Sequence, residues 1–304
     1  MTKYTFLLPA FKGRFLDEML RSIQGQTYRD YKVIISDDCS PEDLRSICDP
    51  YLADPRFTYR RNAENMGSKS LVSHWNLLVS MCDTEFLILA SDDDVYEPQF
   101  LEEIDKLTVK YPDADLFRAR IRIVDENRKK LQTDIVFNEF ENHRQFLESH
   151  FRQGNFKCIA NHVFRNRKLK DIGGFYETPL AWYSDHITSI MASENGCAYT
   201  KDILFNFRLS DINITGRAKT KFISSQKSRA ILQADDWFRH YLRKKNIKDL
   251  EYGRWGEQIY FFLMEADFKT YISLCPKVAR LGLWKNSWMR AITRHQLKSL
   301  IFRK

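Results

Sequence analysis

A chain of 304 residues that is 43% hydrophobic and 14% aromatic can bury a core as one large domain or as a domain with an appendage. Its net charge of +8 sits wholly in the tail: Lys277 to Lys304 holds eight basic residues and no acidic one, and the 40 basic residues before it balance 40 acidic ones. The body therefore lacks the basic stripe of a nucleic-acid reader, and no nucleic-acid partner is expected.

The longest apolar runs, such as Ile259 to Met264, fall far below the ~18 to 20 residues of a spanning helix. The opening MTKYTFLLPAF has no basic region followed by a long apolar stretch, so no signal peptide is expected. Cys39, Cys48, Cys82, Cys158, Cys197 and Cys275 form no CxxC pair and have no zinc-ligand spacing, which suits free thiols of a reducing compartment. Together these features predict a cytoplasmic protein.

In chain order, Tyr4 to Leu8 is an apolar strand ended by Pro9, and Phe15, Met19, Leu20 and Ile23 recur at helical spacing up to Gly25. Tyr31 to Ile35 is a second buried strand. Ser40 is then a candidate N-cap, with Pro41 in the first helical position and Asp43 completing a box-like cap, for a helix running to about Ala53. Phe57 to Arg60 is a third strand, Ser68 to Met81 an amphipathic helix and Phe86 to Ala90 a fourth strand. This alternation predicts an α/β fold with a mainly parallel sheet flanked by helices.

Two acidic clusters, Asp37-Asp38 and Asp92-Asp93-Asp94, fall just past strand ends, where open parallel sheets bind ligands. Neighbouring ionised carboxylates repel, so such a triplet calls for a cation or for solvent. Oxygen ligands without nearby His or Cys suit Mg or Mn, which commonly share substrate phosphates. The alternative is a solvated turn capping a helix that starts near Pro98.

Six pieces in order, FLLPAF, SIQGQTYRDYKVIISDDCSPE, NMGSKSLVSHWN, FLILASDDDVYEP, KYPDADL and IGGFYETPLAWYSDH, resemble the inverting family 2 glycosyltransferases of the GT-A fold, of the bacterial surface-polysaccharide type, across roughly residues 3 to 215. The resemblance implies a GT-A domain over 1–218, with a nucleotide-binding half at about 1–97 and an acceptor half at about 98–218. Pro9, Ala10 and Phe11 would lie along the base and ribose of a nucleotide, and Asp38 would contact a pyrimidine. Asp92 and Asp93 would form a DxD-type motif, with Asp92 toward the ribose, Asp93 as metal ligand and Asp94 supporting either. Gly173, Gly174, Phe175 and Trp182 would lie near the sugar or acceptor. Asp185 would be the general base, although a first-turn helix acid is the simpler role for that residue.

Three departures from the family pattern stand out. No Arg follows the Asn65-Met66-Gly67 turn, where Lys69 is the candidate for neutralising phosphate. His74-Trp75-Asn76 is closer to the subgroup with an NWN-like sequence. Ser210, followed by Asp211, stands where many relatives carry a metal-binding His.

From about Lys219 long helical patterns begin, Phe222 to Lys245 and Leu250 to Phe268, making 219–304 a helical C-terminal region. In residues 277–304, Leu281, Trp284, Trp288, Ile292 and His295 recur at helical spacing opposite Arg280, Arg290, Arg294 and Lys298. Such a helix suits either an anionic membrane surface or packing on the domain with its basic face in water. The expectation is a metal-dependent, hexosyltransferase-like enzyme moving sugar from a nucleotide sugar, chiefly a UDP-sugar, to a glycan or lipid-linked hydroxyl, peripheral on the inner membrane face if the tail binds lipid. A nucleotidyltransferase that makes nucleotide sugars and a non-catalytic nucleotide-sugar-binding protein are the alternatives.

Overall fold

The computed structural model describes residues 2–150, 155–214, 220–250 and 255–301. In chain order the first half contains β1 (Tyr4–Ala10), α1 (Leu16–Gln24), β2 (Tyr31–Asp37), α2 (Leu44–Cys48), β3 (Phe57–Arg61), α3 (Leu71–Met81), β4 (Phe86–Leu89), β5 (Val95–Tyr96) and α4 (Phe100–Lys110). The second half contains β6 (Leu116–Val124), β7 (Lys130–Thr133), β8 (Phe140–Glu141), α5 (His143–His150), β9 (His162–Arg165), α6 (Asn166–Asp171), α7 (Ser184–Ala192) and β10 (Cys197–Arg208). The C-terminal region adds α8 (Lys221–Lys244), α9 (Trp255–Glu265), α10 (Phe268–Arg280) and α11 (Asn286–Ile301).

One sheet runs β3-β2-β1-β4-β9-β6-β10-β5, with β7 on β6 and β8 on β10. The strands β3, β2, β1 and β4 are parallel, as the alternating sequence pattern demands. Beyond β4 the sheet is mixed: β9 lies antiparallel between β4 and β6, and β10 is parallel to β6. Side chains alternate faces along each strand. Phe6, Leu8, Phe86 and Ile88 pack with α1 and α4 on one face, and Leu7, Leu87 and Leu89 pack with α3 and α8 on the other. Burial on both faces explains the unbroken apolar runs of the central strands.

Several expected boundaries shift. The helix expected from Pro41 is the short α2 followed by a 3₁₀ turn, Asp49–Tyr51. Its N-cap is Asp43, whose side chain accepts from the Ser46 N–H; Ser40 lies just upstream, where its hydroxyl accepts from the Glu42 N–H (3.1 Å) and donates to the Phe11 carbonyl (2.7 Å), tying two loops together. Ser70, whose side chain accepts from the Ser73 N–H, caps α3, so Lys69 lies in a turn before the helix. In the tail, Leu281 and Trp284 fall in the connection between α10 and α11 rather than on a continuous helix. Buried Met289 and Ile292 pack α11 against α9 and α10, and the Gln296 amide donates to the Leu263 and Ala266 carbonyls. Arg280, Lys285, Arg290 and Arg294 are exposed, together with Trp284 and Trp288. The boundary expected near residue 218 and the basic residues Arg303 and Lys304 lie outside the described residues. Among the described residues, no helix is long and apolar enough to cross a membrane.

Candidate active site

Because β1 pairs in parallel with both β2 and β4, the three carboxyl ends open on one edge of the sheet. The chain passes from β1 to β2 and β3 on one side and returns to β4 on the other, so the crevice between β1 and β4 is a topological switch point. Strand β1 runs on through Pro9 to Ala10, paired with Ser36 and Asp37, rather than ending before Pro9 as expected, and its end at Ala10-Phe11 meets the Asp92-Asp93-Asp94 turn there.

Each acid of the triplet has its own environment. Asp92 Oδ2 accepts from the backbone N–H of Phe11 (2.9 Å) and of Lys12 (2.8 Å), fixing the β1 loop to the turn after β4. Lys12 Nζ lies 2.9 Å from Asp92 Oδ1 and 3.2 Å from Asp93 Oδ2. Burial works against the Lys12 ammonium, yet the two carboxylates together hold its pKa above the ordinary lysine value. Burial raises the pKa of Asp93; the Lys12 charge opposes this and the Asp92 charge adds to it. Asp94 accepts from the Arg208 N–H (2.8 Å) and from the Ser91 hydroxyl, and burial followed by the Asp93 charge pushes its pKa up to about 8. Arg208, fully buried at the end of β10, donates to the Asp93 carbonyl (2.8 Å) and the Glu126 carbonyl (2.7 Å) and pairs with Glu18.

The Asp37-Asp38 pair is also divided. Asp37 accepts from Ser40 N (2.8 Å), from the Tyr59 hydroxyl (2.6 Å) and from Arg61, which locks the end of β2 to β3. Asp38 Oδ1 accepts from Asn62 Nδ2 (2.8 Å) and Met66 N (2.9 Å), and its Oδ2 accepts from Gly67 N (2.7 Å). Its carboxylate thus organises the 62–67 loop, and contact with a base would have to share these oxygens. His74 lies behind it, with Nδ1 3.6 Å from Asp38 Oδ2 and Nε2 2.9 Å from Ser36 Oγ.

Lys69 is 69% exposed and pairs with Glu64 at 2.7 Å, away from the acid turn. Asp211 pairs with Arg14 (2.9 Å), and the Ser210 hydroxyl is buried without a hydrogen-bond partner. Among the described residues no group of three or more His, Cys, Asp or Glu side chains is placed to hold a metal. Asp93 offers a single buried carboxylate beside the crevice, so a hard cation held there would have to take most of its oxygen shell from elsewhere, as Mg and Mn commonly do from substrate phosphates.

A second depression adjoins the turn. It is a cleft of about 420 Å³, lined among others by Trp75, Lys157, Cys158, Trp182, Asp185 and His186. Cys158 is common to both regions, with its Sγ 3.9 Å from Asp94 Oδ2. Asp185 lies in the first turn of α7 and accepts from its neighbour His186 N–H (2.9 Å). Burial raises its pKa to about 6 against the opposing pull of that N–H and of Lys157. Lys157 is driven the other way, to about 7, by burial and then by Arg118, with Asp185 opposing. Leu180 (φ 56°), Ala181 (φ 54°) and Tyr183 (φ 71°) hold left-handed backbone in the segment leading to Asp185, an uncommon run for non-glycine residues.

Gly173, Gly174 and Phe175 stand behind this cleft rather than in its lining. A Cβ on Gly174 (φ +84°) would come within 2.4 Å of Asn76 Oδ1, and the Asn76 amide bonds both the N–H (2.7 Å) and the carbonyl (3.0 Å) of Phe175. Phe175 in turn meets Trp75 edge to face. The close backbone approach expected at the glycines is thus made to Asn76, which with Phe175 supports Trp75 in the cleft wall.

Residues 5–173, more than half of the chain, match the sequence pattern of the family described as glycosyl transferase family 2. The chain belongs to that family. A glycosyltransferase, GlyG, from Streptococcus pneumoniae serotype 4 is 22% identical over 238 residues, covering 67% of this chain and 78% of its own. Among solved structures, S. aureus TarS 1-349 in complex with UDP-GlcNAc superposes with a TM-score of 0.60 at 14% identity, over 88% of this chain and 82% of that one. The mannosyltransferase PcManGT from Pyrobaculum calidifontis, in complex with GDP-Man and Mn2+, gives 0.55 at 14% identity, over 99% and 88%. These likenesses agree with the GT-A fold. This family 2 glycosyltransferase is an enzyme acting on a nucleotide sugar, which sets aside both the nucleotidyltransferase and the non-catalytic alternatives.

Sequence reasoning gave no role to Lys12, Asn76, Lys157 or Arg208. Lys12 directly follows the loop named for the nucleotide, and Arg208 interrupts the apolar strand ILFNF; a cation in either position calls for an acidic partner.

Proposed function

We propose that the protein is an inverting, metal-dependent transferase that takes a UDP-sugar at the β1–β4 crevice and passes the sugar to a hydroxyl of a glycan or lipid-linked acceptor in the adjoining cleft. The observation carrying this reading is the junction at Asp92, which joins the Phe11-Lys12 backbone to the acid turn while Asp93 faces Lys12 beside it. Pro9, Ala10 and Phe11 border the nucleotide, and Asp38 acts on the base directly or through the loop it organises. A divalent cation, Mn or Mg, held by Asp93 would neutralise the departing diphosphate. Asp94 supports the turn through Ser91 and Arg208.

Asp185 takes the proton of the acceptor hydroxyl as that oxygen attacks the anomeric carbon from the face opposite the diphosphate. Its pKa of about 6 leaves it largely ionised yet more basic than an ordinary carboxylate at neutral pH. Trp75 and Trp182 offer apolar faces to a sugar ring.

Calorimetry of UDP binding with Mn, with EDTA and with Asp93→Asn tests the donor site. Metal-dependent binding that is lost in the variant is the expected result, and equal affinity in all three would remove the metal from the mechanism. Asp38→Ala separates its two roles. Direct base reading weakens UDP by about 1.5 to 3 kcal/mol more than ADP, and a purely loop-holding role weakens both alike.

A further inference from the structure

The positive charge paired with the acid turn belongs to a partly exposed side chain. Lys12 Nζ bridges Asp92 and Asp93 at 2.9 and 3.2 Å, and its side chain keeps 22% of its surface exposed where the two carboxylates keep 6% each. Asp92 is held by two backbone N–H groups independently of the ammonium, so the turn retains its shape if the lysine leaves. Among the described residues Lys12 is the one side chain paired with the Asp93 carboxylate. The other nearby cations are committed: Arg208 is buried with carbonyls and Glu18, and Arg14 is paired with Glu126 and Asp211.

A divalent ion on Asp93 and an ammonium beside it would repel in this partly dry crevice, so the two compete for the carboxylate. A nucleotide diphosphate changes the balance, because it brings the negative charge that a displaced ammonium needs.

We infer that Lys12 is the resident counter-cation of the acid turn, released from Asp92 and Asp93 to the donor diphosphate when metal and nucleotide enter together. The inference rests on the metal reading above. Lys12 thereby makes metal uptake conditional on nucleotide, a coupling between two ligands through one side chain.

The test uses the full chain and Mn alone as probe, with free Mn followed by electron paramagnetic resonance in the absence and presence of UDP. In the wild type, Mn should bind weakly without UDP and far more tightly with it. Lys12→Met should bind Mn without UDP on the order of tenfold more tightly than wild type, and should lose most of the gain that UDP confers. Lys12→Arg, which keeps the charge, should behave as wild type. If Lys12→Met is poorly folded, Lys12→Gln carries the same expectation, and a melting temperature that falls in EDTA and recovers with Mn marks the missing counter-charge. Mn binding by the variant no tighter than by wild type, with the UDP gain intact, would overturn the role of Lys12 and leave the metal reading standing. No Mn uptake by any form, with or without UDP, would overturn both.

Discussion

Replacing Asp185 by Asn removes the proposed base while keeping a side chain that can accept from the His186 N–H, so it separates chemistry from a first-turn helix role. Loss of a general base typically costs a factor of ~10² to 10⁴ in rate. The structure adds a pH signature. With a pKa of about 6, raised by burial, Asp185 is ionised above that value, so turnover should fall roughly tenfold per pH unit below it. Lys157 in the same cleft holds that pKa down, and Lys157→Met should therefore move the acid limb to higher pH. Stability gives a control of opposite sign. The folded pKa lies above the ordinary 3.8, so ionising Asp185 costs stability progressively as pH rises from about 4 through about 6. Asn removes that cost, and the variant should be at least as stable as wild type at pH 7. The assay is UDP release from the UDP-sugar, first with water and then with whichever simple sugar or lipid-linked mimic the wild type accepts. Near-normal turnover by Asp185→Asn, with donor binding intact and the acid limb unmoved, would refute the assignment.

Two further outcomes follow from the packing around the site. Gly174→Ala drives a Cβ into Asn76 and places alanine in left-handed backbone, and should destabilise the fold by about 2 to 4 kcal/mol from strain and lost hydrogen bonds. Combined with Asn76→Ala the cost should be less than additive in urea unfolding, and strict additivity would show that Asn76 is not the obstacle. For the tail, exposed Trp284 and Trp288 beside Arg280, Lys285, Arg290 and Arg294 should bind vesicles containing anionic lipid, salt-sensitively and not neutral ones; equal binding to neither or both would reject a charge-selective membrane contact.

The first half of the fold was readable because its strands are buried on both faces and parallel, so each is a short apolar run followed by its helix. The second half was not, because β9 inserts between β4 and β6, a pairing across distant sequence that no local periodicity encodes. Turn chemistry was displaced by three residues at Ser40: its hydroxyl accepts a local N–H as a cap would, but from Glu42 in the turn before the helix, and the cap itself is Asp43. The acid clusters announced the site, but their partners come from loops brought together by the sheet. Lys157 illustrates the limit most clearly, since a lysine in the run FKCIAN carries no mark that it will share a cleft with Asp185.

Three adjacent carboxylates at the end of a buried strand are tolerable only if they do not act as three equal charges. Here burial divides them. Burial and the Asp93 charge push the pKa of Asp94 up to about 8, against the hydrogen bonds that its carboxyl accepts from the Ser91 hydroxyl and from the Arg208 N–H, the latter joining the turn to β10. Asp92 is anchored by two backbone donors as well as by Lys12, whereas the Asp93 carboxylate has Lys12 as its paired side chain among the described residues. Repulsion within the triplet is thereby reduced, and Lys12 offsets part of what remains. The arrangement puts the least anchored of the three carboxylates beside the β1 end, at the crevice proposed for the nucleotide's phosphates, and ties its two neighbours to backbone donors on either side.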